Sequence, residues 1–95
     1  MTNKQRAYLS SLASDMSPIL QIGKAALTPE YTQAVDEALE ARELIKINVL
    51  KNCFENPSAM AQILAERTHS EVVRVIGRKI ILYRPSKKPT IVLPK

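Results

Sequence analysis

A chain of 95 residues has room for a single core, and 45% hydrophobic with 24% charged residues is the balance of an ordinary soluble globular domain. One cysteine, Cys53, excludes an internal disulfide framework and suits a reducing cytosol, and no apolar run resembles a signal peptide or a membrane span. A cytoplasmic address without a membrane partner is therefore expected. The net charge of +5 is unevenly placed: residues 28–44 hold Glu30, Asp36, Glu37, Glu40 and Glu43 against Arg42 alone. Beyond Glu71 no acidic residue occurs, while Arg74, Arg78, Lys79, Arg84, Lys87, Lys88 and Lys95 do. That segregation fits a polyanion facing one side of the domain, and on charge alone a solvated basic tail fits equally well.

In chain order, a first helix is predicted over residues 3–15, with Thr2 at its cap and Leu9, Leu12 and Met16 on one stripe. "PILQI" then reads as a short strand bounded by Gly23. Thr28-Pro29 opens a second helix, with Tyr31, Val35, Ala38 and Leu39 at helical spacing and Asp36, Glu37 and Glu40 turned outward. In "ELIKINVLK", Ile45, Ile47 and Val49 alternate with Lys46 and Asn48, a strand pattern. Asn56-Pro57 starts a third helix that should bury Met60, Ile63 and Leu64. "VVRVI" and "KIILY" form a hairpin about Gly77-Arg78, where glycine in the first of two turn positions marks a type II′ turn. Residues 85–95 carry three prolines and read as an extended basic tail, with room for a short edge strand at Ile91–Leu93. The expected fold is α/β, in the form of an α+β two-layer sandwich: one domain over residues 1–95, in the order α-β-α-β-α-β-β, with a four-stranded mixed sheet. Both helical crossovers should leave parallel strands, with the hairpin adding one antiparallel strand.

Catalysis is not expected, nor is a metal, a cofactor or a small-molecule substrate. One histidine and one cysteine cannot make a Cys/His metal cluster, His69 falls in a polar link, and Cys53 reads as a half-buried thiol. No serine has the glycine flanks of a nucleophile elbow, and there is no Walker-type loop. Binding chemistry has more to work with. In "IGKAALTPEY", a glycine and a lysine stand just ahead of a helix start, where free N–H groups and the helix dipole attract anions. The same residues also make an ordinary strand-to-helix turn, and Glu30 in the first helical turn favours that plainer reading.

Several segments together, "KQRAYLSSLA", "PILQIGKAALT", "ALEARELIKINVL", "VVRVIGRKIILYRPS" and the closing "LP", resemble the CRM-domain family in its stand-alone bacterial, YhbY-like form. The resemblance runs in order over nearly the whole chain. It implies a fold like the C-terminal domain of translation initiation factor three and RNA as the partner, with ribosomal RNA of the large-subunit precursor as the target during ribosome assembly. The family's loop pattern is Gly-Lys-x-Gly, likened to the phosphate-clamping loop of KH domains. Gly23 and Lys24 match it, but the second glycine is Ala26. If that position needs a positive φ, alanine costs about 1 kcal/mol or more, so either the loop takes another shape here or the glycine is dispensable.

The RNA-contact residues expected on this basis are Gly23, Lys24, Ala25, Ala26 and Thr28 in the loop, Lys4 and Arg6 on the first helix, and Arg74, Arg78, Lys79 and Arg84 on the hairpin. Arg78 and Lys79 are expected at a solvent-exposed turn, and Tyr8 and Tyr83 in core or boundary packing. A monomeric RNA-binding protein leads. A protein-interaction module of the translation machinery and sequence-independent DNA binding are the alternatives.

Overall fold

Caps and prolines decide where each helix begins. In the computed structural model, which describes residues 1–95, Thr2 caps α1 (Asn3–Ser14): its Oγ1 accepts the Gln5 N–H at 3.1 Å and Gln5 Oε1 accepts the Thr2 N–H at 3.0 Å. Two helix-end donors are satisfied reciprocally, a capping box. Thr28 and Asn56 start α2 (Pro29–Arg42) and α3 (Pro57–Thr68), each with a proline in the first turn. His69 ends α3 in the left-handed conformation, φ 55°, and the Ala65 carbonyl accepts both its N–H and that of Ser70.

The four strands are β1 (Leu20–Ile22), β2 (Leu44–Val49), β3 (Glu71–Ile76) and β4 (Lys79–Tyr83), in the sheet order β1-β2-β4-β3. Only β1 and β2 pair in parallel; β4 is antiparallel to both β2 and β3. The α+β class and the mixed four-stranded sheet are as expected. What the linear pattern did not convey is that the second crossover skips a place, which the last strand fills. A bulge between Val72 and Arg74 bends β3.

Period-two alternation divides the sheet between two cores. Ile22, Ile45, Ile47, Val49, Ile80 and Leu82 face α2 and α3, meeting Val35, Leu39, Met60, Ala61 and Leu64. Leu44, Val73, Ile81 and Tyr83 face the other way, meeting Leu9 and Ala13 of α1. Two layers therefore describe the sheet with α2 and α3, and α1 adds a partial layer on the opposite face. Lys46 points to that side and donates to the Ala13 and Met16 carbonyls at 3.0 and 3.1 Å, so a full positive charge closes the C-terminus of α1.

Two stripe assignments need correction. Leu12 is 41% exposed and Ala13 takes its place in the core; Ile63 is 40% exposed and Ala61 is buried instead. In both helices the shift is one or two positions around the cylinder, towards the smaller residue that lets the helix approach the sheet closely. Cys53 is buried rather than half-buried, its thiol 3.9 Å from the Met60 sulfur.

No strand forms at Ile91–Leu93; Ile91 and Leu93 instead pack on the smaller core, with Val92 between them exposed. Glu40 accepts the Lys87 N–H at 2.9 Å and Gln5 donates to the Pro94 carbonyl at 3.1 Å, but the main anchor of the tail is a second carboxylate. Glu43, 2% exposed and in the left-handed region at φ 67°, accepts the Ser86 N–H at 2.8 Å, the Thr90 N–H at 2.9 Å, the Thr90 hydroxyl at 2.6 Å and the Ile91 N–H at 3.0 Å. The Thr90 hydroxyl first and the Ser86 amide second hold its pKa down at about 2, against an ordinary value of 4.5. Burial, and then the Glu43 charge, push the neighbouring Tyr83 phenol upward.

Candidate nucleic-acid interface

The loop that leaves β1 is a tight turn. The Ala26 N–H closes it on the Gly23 carbonyl at 3.0 Å, leaving Lys24 and Ala25 exposed at the tip. Ala26 sits at φ 55°. The loop therefore keeps the left-handed conformation that a glycine would favour, and alanine carries it at a cost of roughly 1 kcal/mol. Its methyl, with Leu27, lies against the larger core. Gly23 has no positive φ; a Cβ there would lie 3.7 Å from Leu50 Cδ1 and 3.8 Å from Asn52 Oδ1.

The helix end offers fewer donors than its position suggests. Pro29 has no N–H, Thr28 Oγ1 takes the Tyr31 N–H at 3.1 Å, and the Thr28 carbonyl takes the Thr32 N–H at 2.9 Å. The backbone N–H groups of Lys24, Ala25, Leu27 and Thr28 have no protein acceptor. Any anion held here is thus held by the turn and Lys24 more than by the first helical residues.

A second loop, residues 50–56 between β2 and α3, lies against the first, with the Leu50 N–H bonded to the Ile22 carbonyl at 2.9 Å. The hairpin tip completes the group. Gly77 has φ 56° and Arg78 does not, as a type II′ turn requires. Arg78 is not a free turn residue. Its Nε donates to the Val49 carbonyl at 2.9 Å, and its Nη2 donates to the carbonyls of Leu50 and Cys53, the latter at 3.0 Å. Lys79 Nζ donates to Asn48 Oδ1 at 2.8 Å. The expected solvent-exposed turn is corrected: both side chains are half-buried, because β4 runs beside β2 and brings the tip onto the β2–α3 loop.

The register shows which predicted residues share this place. Asn48, Lys79 and Ile76 lie in one row at the loop end of the sheet, and Leu44, Tyr83 and Glu71 in a row at the other end. Gly23, Lys24, Ala25, Ala26, Thr28, Arg78 and Lys79 belong to the loop end. Arg6 donates to the Val72 carbonyl near the opposite end, with Lys4 exposed beside it on α1. Arg84 follows Tyr83 there and is fully engaged, 2.5 Å from Asp36 Oδ1, 3.6 Å from Glu40 and 2.7 Å from the Thr68 carbonyl. Arg74 lies between the two ends on the α1 face, exposed, within 3.5 Å of Ser10 Oγ. Tyr83 is core, and Tyr8 is 39% exposed on α1.

Reading the sequence alone missed the second loop, which adds exposed Lys51 and Phe54 to the loop end. The available signal was a phenylalanine in "KNCFEN", between a strand and a helix cap, where no apolar period accounts for it. No group of three or more His, Cys, Asp or Glu side chains is placed to hold a metal, and no helix is long and apolar enough to cross a membrane.

Comparison with known proteins places the chain in a family and matches its fold. Residues 1–84 match the model of the CRS1/YhbY (CRM) domain. The chain is 42% identical over 88 residues to a Bacillus subtilis protein named "Probable RNA-binding protein YqeI", covering 93% of this chain and 92% of that one. It is 30% identical over 95 residues to a Haemophilus influenzae protein named "RNA-binding protein", covering 100% and 96% of the two chains. A solution structure of a hypothetical Staphylococcus aureus protein, provisionally described as RNA-binding, superposes with a TM-score of 0.84 at 46% identity over 99% of both chains. With the family model matched across the three helices and the whole sheet, and with relatives aligned nearly end to end, the chain belongs to the CRS1/YhbY (CRM) domain family.

Proposed function

We propose that this protein binds RNA without catalysing a reaction on it, and that its target is ribosomal RNA of the large-subunit precursor in the cytoplasm. The observation that carries RNA binding is the loop end of the sheet. Exposed Lys24 stands in a turn whose Lys24, Ala25, Leu27 and Thr28 N–H groups lack protein acceptors, and exposed Lys51 stands on the adjoining loop, the arrangement that receives a phosphate. The names of the relatives support RNA as the polyanion. The family resemblance motivates the ribosomal target. On this reading the protein acts as a monomer, with Gly23, Lys24, Ala25, Ala26 and Thr28 at the phosphate and Lys79 beside it. Arg78 shapes the site by holding the adjacent loop, and Arg74 extends the basic surface along the sheet.

Lys24→Glu tests the site. The side chain makes no hydrogen bond or ion pair within the protein, so stability should stay within about 0.5 kcal/mol. Affinity for a ribosomal RNA fragment at fixed salt should fall clearly, because a carboxylate would face the phosphate. Unchanged affinity would reduce the loop to a turn. Competition with DNA of equal length addresses the alternative polyanion, and crosslinking in cells followed by sequencing of the attached RNA addresses the ribosomal target.

A further inference from the structure

Phe54 is the most exposed large apolar side chain of the chain, at 92%, and the only aromatic one left almost wholly in water. Its neighbours are not loose. Cys53 before it is buried, its N–H is bonded to the Leu50 carbonyl at 3.0 Å, and its own carbonyl is held by Arg78 at 3.0 Å. Asn56 after it caps α3 through the Ser58 and Ala59 N–H groups at 2.8 and 3.1 Å. With both sides anchored, the backbone directs residue 54 outward, on a loop whose Leu50 and Asn52 side chains lie against Gly23 and whose Glu55 shares a groove with Ala26 and Leu27 of the Lys24 turn. The nearest acid in sequence, Glu55, lines the groove between the loop and α3 that Arg67 also lines. Lys51, three residues before the ring, is exposed.

From this juxtaposition we infer that Phe54 is a stacking platform for one unpaired RNA base, whose neighbouring phosphate lies at the Lys24 turn. The inference rests on the RNA-binding reading. A lone ring is too small a patch to seat a membrane or a protein, but its face matches that of one nucleobase, and exposed Lys51 on its own loop and Lys24 on the adjoining turn complement the attached phosphates. A base within a duplex has both faces covered already, so the ring selects single strands or unpaired positions.

The test uses a short unstructured oligoribonucleotide and its duplex, titrated against the full chain at fixed salt. Phe54→Ala should weaken binding to the single strand by about 5- to 150-fold, the usual worth of one stacked base, and leave duplex binding and the thermal midpoint unchanged. Phe54→Leu should lose the same affinity, being apolar but not flat. Phe54→Trp should retain it, and as the only tryptophan in the chain its fluorescence should be quenched by the single strand. If the parent protein binds the oligonucleotide and Phe54→Ala binds it equally well, the stacking role is overturned while RNA binding stands. Full affinity in Phe54→Leu, or an unquenched Phe54→Trp, overturns it too. A parent protein that binds neither probe removes both readings together.

Discussion

Arg78→Ala is the substitution on which a surface reading and the structure disagree most. As an exposed hairpin-tip residue, Arg78 would be worth no more than about 0.5 kcal/mol. In the fold its guanidinium joins the carbonyls of Val49, Leu50 and Cys53, which belong to the end of β2 and the loop that follows. A hydrogen bond to a charged group contributes roughly 1.5–3 kcal/mol net, but the site is half-buried and water can replace part of what is lost. Three such bonds at the low end, partly compensated, give about 2–4 kcal/mol. For a domain of this size that is a fall of roughly 10–25 °C in midpoint. Arg78→Lys should fall between the two, since an ammonium cannot span three carbonyls in one plane. Lys79→Ala, which breaks one bond to Asn48, is the matched control, with a loss of no more than about 1 kcal/mol. Thermal melts followed by circular dichroism, with urea titrations to verify an unchanged m-value, measure all three. A shift below about 2 °C for Arg78→Ala would show that the clamp does not exist in solution. Loss of RNA affinity in an Arg78 variant is expected as well, through the unseated loop.

Ala26→Gly removes a left-handed alanine costing roughly 1 kcal/mol but adds unfolded-state entropy of similar size, so stability should move by no more than about 0.5 kcal/mol and RNA affinity should hold or tighten. Ala26→Val at the same φ should cost more than about 1 kcal/mol in a denaturant titration. Glu43 has its pKa lowered to about 2, so the unfolded chain takes up the proton first as pH falls. Its contribution is therefore complete above the ordinary 4.5 and is lost on acidification towards about 2. Protection factors at Ser86, Thr90 and Ile91, referenced to the intrinsic exchange rate at each pH, should fall across that window and be low at every pH in Glu43→Gln; protection that persists unchanged below pH 2 would contradict the anchor. If four to six phosphates are contacted, the log–log salt dependence of RNA affinity should have a slope of about −3 to −4 on single strands, and a slope near zero would exclude a backbone-dominated mode.

Local chemistry alone determined the elements of this protein. Thr28-Pro29 and Asn56-Pro57 start helices because a side-chain oxygen and a missing N–H suit a helix end in any context. The alternation in "LIKINV" makes a strand with two unlike faces, and Gly77 supplies the positive φ of a two-residue turn. The Gly-Lys loop and the family resemblance were legible for the same reason, since they lie in contiguous stretches. What the chain could not show locally is which distant groups meet. Insertion of β4 between β2 and β3 put Arg78 under the β2–α3 loop, and so turned a turn residue into a clamp and set the ring of Phe54 outward. Placement of α1 on the opposite face gave Lys46 a helix end to close and carried Lys4 and Arg6 away from the Gly-Lys loop. Glu43 read as one more acid of an acidic stretch until the tail folded back over it and its four donors replaced water. A basic or acidic side chain has the same sequence signature whether it meets solvent, a partner or a buried carbonyl, and only the packing of strands far apart in the chain decides among them.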